Sequence, residues 1–246
     1  MTTEVSTIAF ERKKTETINR FDIHQRLQHI GLALSFLLLV LTGFPLKFPN
    51  AGISQWWVAF WGGVEVTRTA HRVGAWAMVM VGVYHVLYLM FNVLVQHKAF
   101  PVKMIPSLKD AKDFGHDLAY SLGVRRDRPQ YDRYDWRQKF DYWAIFWGVP
   151  VMAGSGFILM FPVFVSRHLP GWLVPAALVA HSDEAMLALT WIFVVHMFFS
   201  HLAPGSFPAN TSIFTGRVSK EKYQKEHPVE YARMTEPDDS ERADVR

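Results

Sequence analysis

The sequence predicts an all-α integral membrane protein, built as a bundle of four transmembrane helices. Its composition is 50% hydrophobic and 15% aromatic over 246 residues, which fits a small membrane protein better than a soluble domain. Four apolar stretches are long enough to cross a bilayer core of about 30 Å, which takes about 20 helical residues. Because lipid offers the backbone no hydrogen-bond partner, each stretch must be a helix, at about 27–46, 69–95, 140–163 and 179–202.

Basic residues are concentrated in three segments, which the positive-inside rule assigns to the cytoplasm. These segments are the N-terminal tail 1–26, the connection between the second and third helices, and the C-terminal tail 203–246. The other two connections hold only Lys47, Arg68 and Arg167. We therefore expect both termini to be cytoplasmic and the loops at 47–68 and 164–178 to face the periplasm.

The chain is expected to form a single membrane domain over residues 1–246, since no internal repeat or low-complexity segment is visible. Residues 1–20 are polar and lack the apolar core of a signal peptide. The charged tail after Pro228 is expected to be loosely ordered. The net charge of +4 comes mainly from the loops and reflects the membrane topology. We therefore expect the lipid bilayer, and no nucleic acid, as a partner.

The absence of cysteine restricts the chemistry of any redox cofactor. It excludes thiolate-bound iron–sulfur clusters, covalent haem attachment through a Cys-x-x-Cys-His motif, disulfides and a cysteine nucleophile. A redox cofactor would therefore be held by His, Met or Tyr, or without any covalent bond.

The fourth apolar stretch carries His181, His196 and His201, and the rest of the chain is interpreted around it. His181 and His196 are fifteen residues apart, so they lie about 22 Å apart along a helix and within about 60° of one face. The second stretch repeats this arrangement with His71 and His85, about 21 Å apart. Imidazole is costly in lipid unless it is used, so histidines at matched depths predict axial ligands for stacked b haems between the helices.

The outer pair follows directly from depth, whereas the inner pair does not. His71 and His181 would hold an outer haem with two neutral imidazoles and no open iron position, which suits electron transfer. Opposite His196, the inner haem could take either His85 or His29. If both are ligands, His201 could complete a third site, so the count stays open at two or three haems.

Arginines and glycines near these histidines support the same interpretation. Arg26 and Arg72 stand near or next to candidate ligands and could pair with haem propionates. Small residues let a porphyrin or a neighbouring helix approach the backbone. The glycines concerned are Gly31, Gly43, Gly74, Gly82, Gly154 and Gly156.

Four groups of residues form short motifs. Three of them contain candidate ligand histidines, and the fourth follows the last helix. They are RLQH at 26–29 with SF at 35–36 and LTG at 41–43, AHRVG at 70–74, AHS at 180–182 with His196, and EHPVEY at 226–231. Together they resemble the four-helix bacterial di-haem cytochrome b family. That family includes the gamma subunit of membrane formate dehydrogenase and the cytochrome b subunit of nickel–iron hydrogenase.

The resemblance implies a ligand set and a quinone site. It implies an outer haem on His71 and His181 and an inner haem on His29 and His196, although His85 and His201 are additional here. It also implies a menaquinone or ubiquinone near the inner haem, beside the residues that begin the third helix. Asp135 and Gln138 fall at the quinone-contacting positions, although Asp135 replaces a neutral amide and Arg137 replaces a glycine. A quinone headgroup needs hydrogen-bond partners and a proton donor, which Asp135, Gln138, Lys139 and Asp141 could supply.

The sequence thus predicts a membrane-anchor cytochrome b subunit of a respiratory oxidoreductase complex in the bacterial inner membrane. It would pass electrons between the quinone pool and a periplasmic-side partner, with no catalytic residue assigned. That partner would be an iron–sulfur subunit or a multihaem cytochrome c, within a dehydrogenase or hydrogenase module, and the direction of flow stays open. The alternatives are a haem-free transporter with a histidine proton relay and a haem-free copper or zinc protein.

Overall fold

A computed structural model describes residues 16–204 and 206–235 of the chain. The basic residues predicted for the start of the N-terminal tail, Arg12, Lys13 and Lys14, lie outside these ranges. The described elements run in the order β1 (Thr17–Asn19), α1 (Ile23–Lys47), α2 (Gly52–Phe60), α3 (Val64–Met90), α4 (Leu108–Ser121), α5 (Trp136–Met160), α6 (Pro162–His168), α7 (Leu173–Thr190), α8 (Ser212–Thr215), β2 (Arg217–Ser219), α9 (Lys220–Glu226) and α10 (Pro228–Thr235).

Four of these helices are long and apolar enough to cross a membrane, which confirms the number predicted from the sequence. They span Ile23–Lys47, Val64–Val95, Trp136–Met160 and Leu173–Leu202. The second and fourth spans end in π-helical turns, at Phe91–Val95 for α3 and at Trp191–His196 and Phe198–Leu202 for α7.

The helices α1 and α5 begin about one turn before their predicted apolar stretches, because the first turn of each is rich in polar residues. The Asp22 side chain caps α1 by accepting from the Gln25 amide at 2.9 Å. Asp135 caps α5 by accepting from the Gln138 amide at 2.8 Å. In both cases the glutamine reaches back to the cap, which completes a capping box and satisfies amides that the helix leaves free.

The helices pack as two pairs, with α1 against α3 and α5 against α7. The pairs contact each other more lightly along the α3–α5 and α1–α7 edges. Large apolar side chains cover the outside, including Met80 at 63% and Trp147 at 70% exposure. A soluble protein rarely exposes so much apolar surface, so this outside is a surface for lipid.

The bundle has two distinct ends, which we name by what lies there. The tail end carries α4 and the two described tails, and the loop end carries α2 and α6. At the tail end β1 pairs antiparallel with β2, with Ile18 opposite Val218. The expectation of a loose tail after Pro228 was wrong for the described part, since α10 is helical and Glu230 is only 6% exposed.

The first and second helix pairs share one layout, although no repeat is visible in the residue identities. Thr42 follows the cap of α1 by twenty residues, and Ser155 follows the cap of α5 by the same number. A glycine comes next in both helices, at Gly43 and Gly156. The chain therefore builds two similar halves, α1–α3 and α5–α7, which place their histidines at matched depths.

Candidate functional site

His71 on α3 and His181 on α7 face each other in the half of the bundle nearer the loop end. Their ring centroids are 6.3 Å apart and their planes are inclined by 70°. Each half of the bundle contributes one imidazole to this outer pair, so the pair lies where the two halves meet.

A hydroxyl group from the neighbouring helix holds each imidazole of the outer pair. Thr42 Oγ1 lies 2.9 Å from His71 Nδ1, and Ser155 Oγ lies 2.9 Å from His181 Nδ1. Each hydroxyl donates its own hydrogen to a backbone carbonyl one turn earlier in its helix. It must therefore accept from the imidazole, which puts the proton on Nδ1 and leaves the Nε2 lone pair for a metal ion.

The glycine after each hydroxyl residue makes room for the imidazole. A Cβ atom at Gly43 would lie 3.0 Å from His71 Cε1, and one at Gly156 would lie 3.3 Å from His181 Cε1. Other glycines near the histidines have a different use. At Gly31, for example, an added Cβ would lie 2.9 Å from a Val81 methyl group, so that glycine lets α1 and α3 pack closely.

The half of the bundle nearer the tail end holds an inner pair, His29 on α1 and His196 on α7. Their ring centroids are also 6.3 Å apart, with planes inclined by 32°. Asp141 Oδ2 accepts from His196 Nδ1 at 2.8 Å, while Asp141 Oδ1 accepts from Trp191 Nε1 at 2.6 Å. The carboxylate therefore fixes the orientation of His196 and leaves its Nε2 without a hydrogen bond within the described part of the chain.

His85 lies in the same inner half but has no free ring nitrogen. Its Nδ1 is 2.8 Å from Gln28 Oε1, and its Nε2 is 3.2 Å from the Tyr142 hydroxyl. Phe146 packs against the imidazole edge to face, at 5.7 Å between centroids. His85 thus joins α1, α3 and α5 through hydrogen bonds.

The other predicted cofactor residues are dispersed. His201 lies in the last π turn of α7, half-buried and without a hydrogen bond among the described residues. Arg26 donates to the Phe214 carbonyl, and its buried Nε has no partner within the described part of the chain. Arg72 is exposed beside His71.

The four residues predicted for the quinone site do not converge on one pocket. Asp135 and Gln138 form the capping box of α5, and Asp141 orients His196. Lys139 points instead toward α4, where its Nζ lies 2.9 Å from Asp110 Oδ2. Lys139 also lines a polar cavity of about 250 Å³ between α4 and the segment before α5.

A buried polar cluster at the tail end was not predicted from the sequence. Arg20 donates to the Tyr223 hydroxyl at 2.9 Å, and Tyr223 donates to Glu230. His227 Nδ1 lies 2.6 Å from the Asp132 carbonyl. Burial and the hydrogen bond to Glu230 raise the pKa of Tyr223 to about 12. The EHPVEY motif at 226–231 was the signal available for this cluster.

Comparisons with known proteins show which family these four membrane helices belong to. Residues 20–205 match the family model described as prokaryotic cytochrome b561. The chain belongs to the prokaryotic cytochrome b561 family. Three similar relatives are described as the formate dehydrogenase cytochrome b556(fdo) subunit, from Escherichia coli strains K12, O6:H1 and O157:H7. Each is 24% identical over 226 residues, covering 89% of this chain and 94% of the relative.

Membership of the cytochrome b561 family confirms the predicted class of protein. The chain is a multi-pass inner-membrane protein and a membrane cytochrome b that transfers electrons. The family implies b-type haem, which agrees with the earlier conclusion that no cysteine is available for covalent attachment.

Proposed function

We propose that this chain is the membrane-anchor subunit of a respiratory oxidoreductase complex and holds two b haems. His71 and His181 would hold the outer haem, and His29 and His196 the inner haem. The observation that carries this proposal is the shared separation of 6.3 Å between ring centroids in the two pairs.

That separation fits two imidazoles on opposite sides of one iron. A metal–imidazole nitrogen bond of about 2.0–2.1 Å, with about 1.1 Å more to each ring centroid, gives a centroid separation of about 6 Å. The glycines at Gly43 and Gly156 leave space at the outer imidazoles where a Cβ would press on them. The buried Nε of Arg26, which has no partner among the described residues, offers a donor for a propionate of the inner haem.

His85 and His201 are left out of the proposed ligand set. Both ring nitrogens of His85 already have hydrogen-bond partners, so coordination would require one of those bonds to be broken. His201 has no imidazole partner at the separation found in the two pairs among the described residues. We therefore favour two haems over three.

Held by two imidazoles, a b haem would supply one-electron exchange and would not be available for oxygen chemistry. The residues of this chain provide the surroundings for that exchange. Thr42, Ser155 and Asp141 hold three of the proposed ligands in one orientation. The apolar side chains of the bundle keep water away, so electron transfer is not accompanied by side reactions.

Orientation and partners complete the proposal. We infer from the basic segments that the tail end is cytoplasmic and exchanges electrons with menaquinone or ubiquinone there. The relatives are subunits of formate dehydrogenase, which favours a dehydrogenase module at the loop end, joined through an iron–sulfur subunit or a cytochrome c. Exposed Trp56, Phe60 and Trp172 make that end apolar enough for such a contact.

The proposal is tested by the spectrum and haem content of the purified protein. We expect a sharp b-type α band on reduction and two haems per chain. Replacing His71, His181, His29 or His196 with alanine is expected to remove one haem each, because an axial ligand is lost. His85→Ala is the matched control, since it deletes a membrane histidine that we leave out of the ligand set, and it should keep both haems.

Two results would count against the proposal. A correctly inserted protein that stays colourless would favour the haem-free alternatives, a proton relay or a copper or zinc protein. A His85→Ala variant with one haem would move the inner site from α1 to α3.

A further inference from the structure

The inner half of the bundle contains two related pairs of side chains, and only one of them is a pair of histidines. His29 follows the cap of α1 by seven residues, and Tyr142 follows the cap of α5 by the same number. His29 faces His196 across the α1–α7 edge. Tyr142 faces His85 across the α3–α5 edge, with its hydroxyl 3.2 Å from Nε2.

The hydrogen-bond partner of the imidazole Nδ1 also stands at the same position in α1 and in α5. Six residues after each cap stand Gln28 and Asp141, and they hold Nδ1 of His85 and of His196 at the same distance of 2.8 Å. The α3–α5 edge is therefore the counterpart of the inner haem edge, with a tyrosine where the second imidazole would be.

We propose that the Tyr142–His85 pair binds the headgroup of a quinone and exchanges protons with it. This rests on the proposed function, because the electrons must come from or go to a b haem. It differs from the quinone site predicted from the sequence, whose four residues already serve as a cap, an ion pair and the support of His196.

The hydrogen bonds fix where the protons are. The oxygen of the Gln28 side chain can only accept, so His85 Nδ1 carries the proton and Nε2 is the acceptor. Tyr142 must then donate its hydroxyl hydrogen to Nε2. A tyrosine hydroxyl on an imidazole acceptor is a group that can take a proton from a bound ligand and pass its own to the base.

The proton and electron transfers balance for a quinol. One quinol O–H bond breaks, its proton goes to the Tyr142 oxygen, and the Tyr142 proton moves to His85 Nε2. A b haem would supply the one-electron acceptor, and the imidazolium releases the proton toward the tail end. A second such step on the other hydroxyl gives the quinone, two protons and two electrons, and quinone reduction reverses every transfer.

The surroundings of the pair suit a flat, lipid-soluble ring with two carbonyl groups. Phe146 lies 5.0 Å from the Tyr142 ring and 5.5 Å from Trp143, which provides aromatic faces for stacking. The amide nitrogen of Gln28 is buried and has no partner among the described residues, so it is a donor for a carbonyl oxygen.

The α3–α5 edge is also accessible from the membrane. The two helices contact each other lightly, and His85 and Tyr142 are half-buried. Leu87 at 57% and Trp143 at 40% exposure flank the pair on the outside. A quinone dissolved in the lipid could therefore enter between α3 and α5 without crossing the protein.

The test is the rate at which menadiol, a reduced naphthoquinone, reduces the haems of the purified protein. Tyr142→Phe is expected to slow this rate about 100-fold, because the proton-transferring hydroxyl is lost. Haem content should stay at the wild-type value, since Tyr142 is not a proposed ligand. Tyr84→Phe is the matched control, because its hydroxyl is also bonded to an imidazole, His24, at 2.6 Å. That variant should keep the wild-type rate.

Two further measurements separate a chemical role from a structural one. His85→Gln should slow the reaction as much as Tyr142→Phe, and the double variant should be no slower, because the two groups act as one unit. Photolabelling with an azidonaphthoquinone in the dark-adapted oxidised protein should mark peptides within 82–88 and 140–147. Labelling confined to the segment around Asp135 would overturn the proposal.

The outcomes distinguish this inference from the proposed function. If menadiol does not reduce the wild-type haems, the quinone-linked function itself fails. If the wild type is reduced and Tyr142→Phe matches its rate, the function stands and the Tyr142–His85 site is wrong.

Discussion

The two halves of the bundle, α1–α3 and α5–α7, agree at one depth and differ at the other. In the outer layer each half places a hydroxyl 2.9 Å from a histidine Nδ1, using Thr42 or Ser155. In the inner layer the first half supports its histidine with the amide of Gln28, and the second half with the carboxylate of Asp141. The same backbone frame thus supports matched chemistry near the loop end and unlike chemistry near the tail end.

The difference teaches how one helix layout can serve two purposes. A carboxylate on the outer nitrogen of an imidazole makes it a more basic metal ligand and supplies a negative charge near the metal. A neutral amide does not raise the basicity of the imidazole and supplies no charge. It therefore suits an imidazole that binds its partner through hydrogen bonds and not through a metal ion. Under our proposals, Asp141 therefore marks the haem edge of the inner layer and Gln28 marks the quinone edge.

Replacing Asp141 with asparagine should have the largest effect, because the carboxylate that supports His196 then becomes an amide, like the Gln28 side chain that supports His85. We expect inner haem affinity to fall about 100-fold, at the upper end for loss of a ligand's supporting group. The inner haem potential should rise by about 60 mV, a tenfold change for one electron. The sign follows because the removed negative charge stabilises the oxidised iron more than the reduced iron. A redox titration followed at the α band measures it.

Asp135→Asn is the control for this prediction, since it removes a carboxylate from the first turn of the same helix. Asparagine caps a helix as well as aspartate does, so the fold should be kept. An inner potential that is the same in wild type and Asp141→Asn would remove the distinction between the two edges.

Deleting the outer hydroxyls should have a smaller effect, and an equal one in the two halves. We expect Thr42→Val and Ser155→Ala each to weaken outer haem binding about 10-fold, because the histidine loses a neutral partner and is less well oriented. Transfer of haem to apomyoglobin measures the change. Thr67→Val is the control, since that buried hydroxyl donates to the Gly63 carbonyl and has no hydrogen bond to a histidine among the described residues. If only one of the two variants loses haem affinity, the hydroxyls of Thr42 and Ser155 do not support the outer haem equally.

Adding a methyl group beside each outer imidazole should reveal a small asymmetry. The added Cβ lies closer to the imidazole at Gly43, at 3.0 Å, than at Gly156, at 3.3 Å. We therefore expect Gly43→Ala to weaken outer haem binding about fivefold, near 1 kcal/mol of overpacking, and Gly156→Ala less. Gly154→Ala, which meets no atom within 4 Å, should leave the haem unaffected. Equal losses at Gly43 and Gly156 would contradict the asymmetry.

The number of membrane helices could be predicted from the sequence because apolar length alone decides it. The positions of His71 and His181 at one depth also followed from helical rise. Helical spacing alone left His29 and His85 open, and only the family resemblance implied His29. Our proposal of His29 rests on the bonds of Gln28 and Tyr142 to both ring nitrogens of His85. Those bonds join residues 57 positions apart in the chain, and helical periodicity carries no information on them.

The shared layout of the two halves was hidden for a related reason. It is kept by spacing and by hydrogen-bonding type, so Thr42 matches Ser155 and Gln28 matches Asp141 without identity. The histidines are also one residue further apart in α7 than in α3, and π-helical turns in α7 accompany the extra residue. The docking of the tail was missed because a charged segment was judged by composition, whereas His227 and Glu230 are buried by specific partners.

The smallest predicted effect concerns the tail end, where the buried cluster of Arg20, Tyr223, His227 and Glu230 reaches the first turn of α5. Arg20 lies 3.4 Å from His227 Nε2 and also reaches Gln138 in the capping box of α5. Burial, and then the charge of Arg20, hold the pKa of His227 below its usual value of 6.5. Docking of the tail should therefore be fully stable above pH 6.5 and weaken as the pH falls below it, because the docked histidine binds fewer protons than the free one.

Hydrogen exchange of the peptide 223–231, corrected for intrinsic rates, measures that weakening. We expect protection to fall by at most about tenfold between pH 6.5 and 5.5, the limit for one proton per pH unit. Burial raises the pKa of Glu226, which favours docking as the pH falls and opposes the change. Glu226→Gln should therefore steepen the fall, while His227→Asn should flatten it. If protection is constant down to pH 5.5 in both the wild type and Glu226→Gln, protonation of His227 does not weaken docking of the tail.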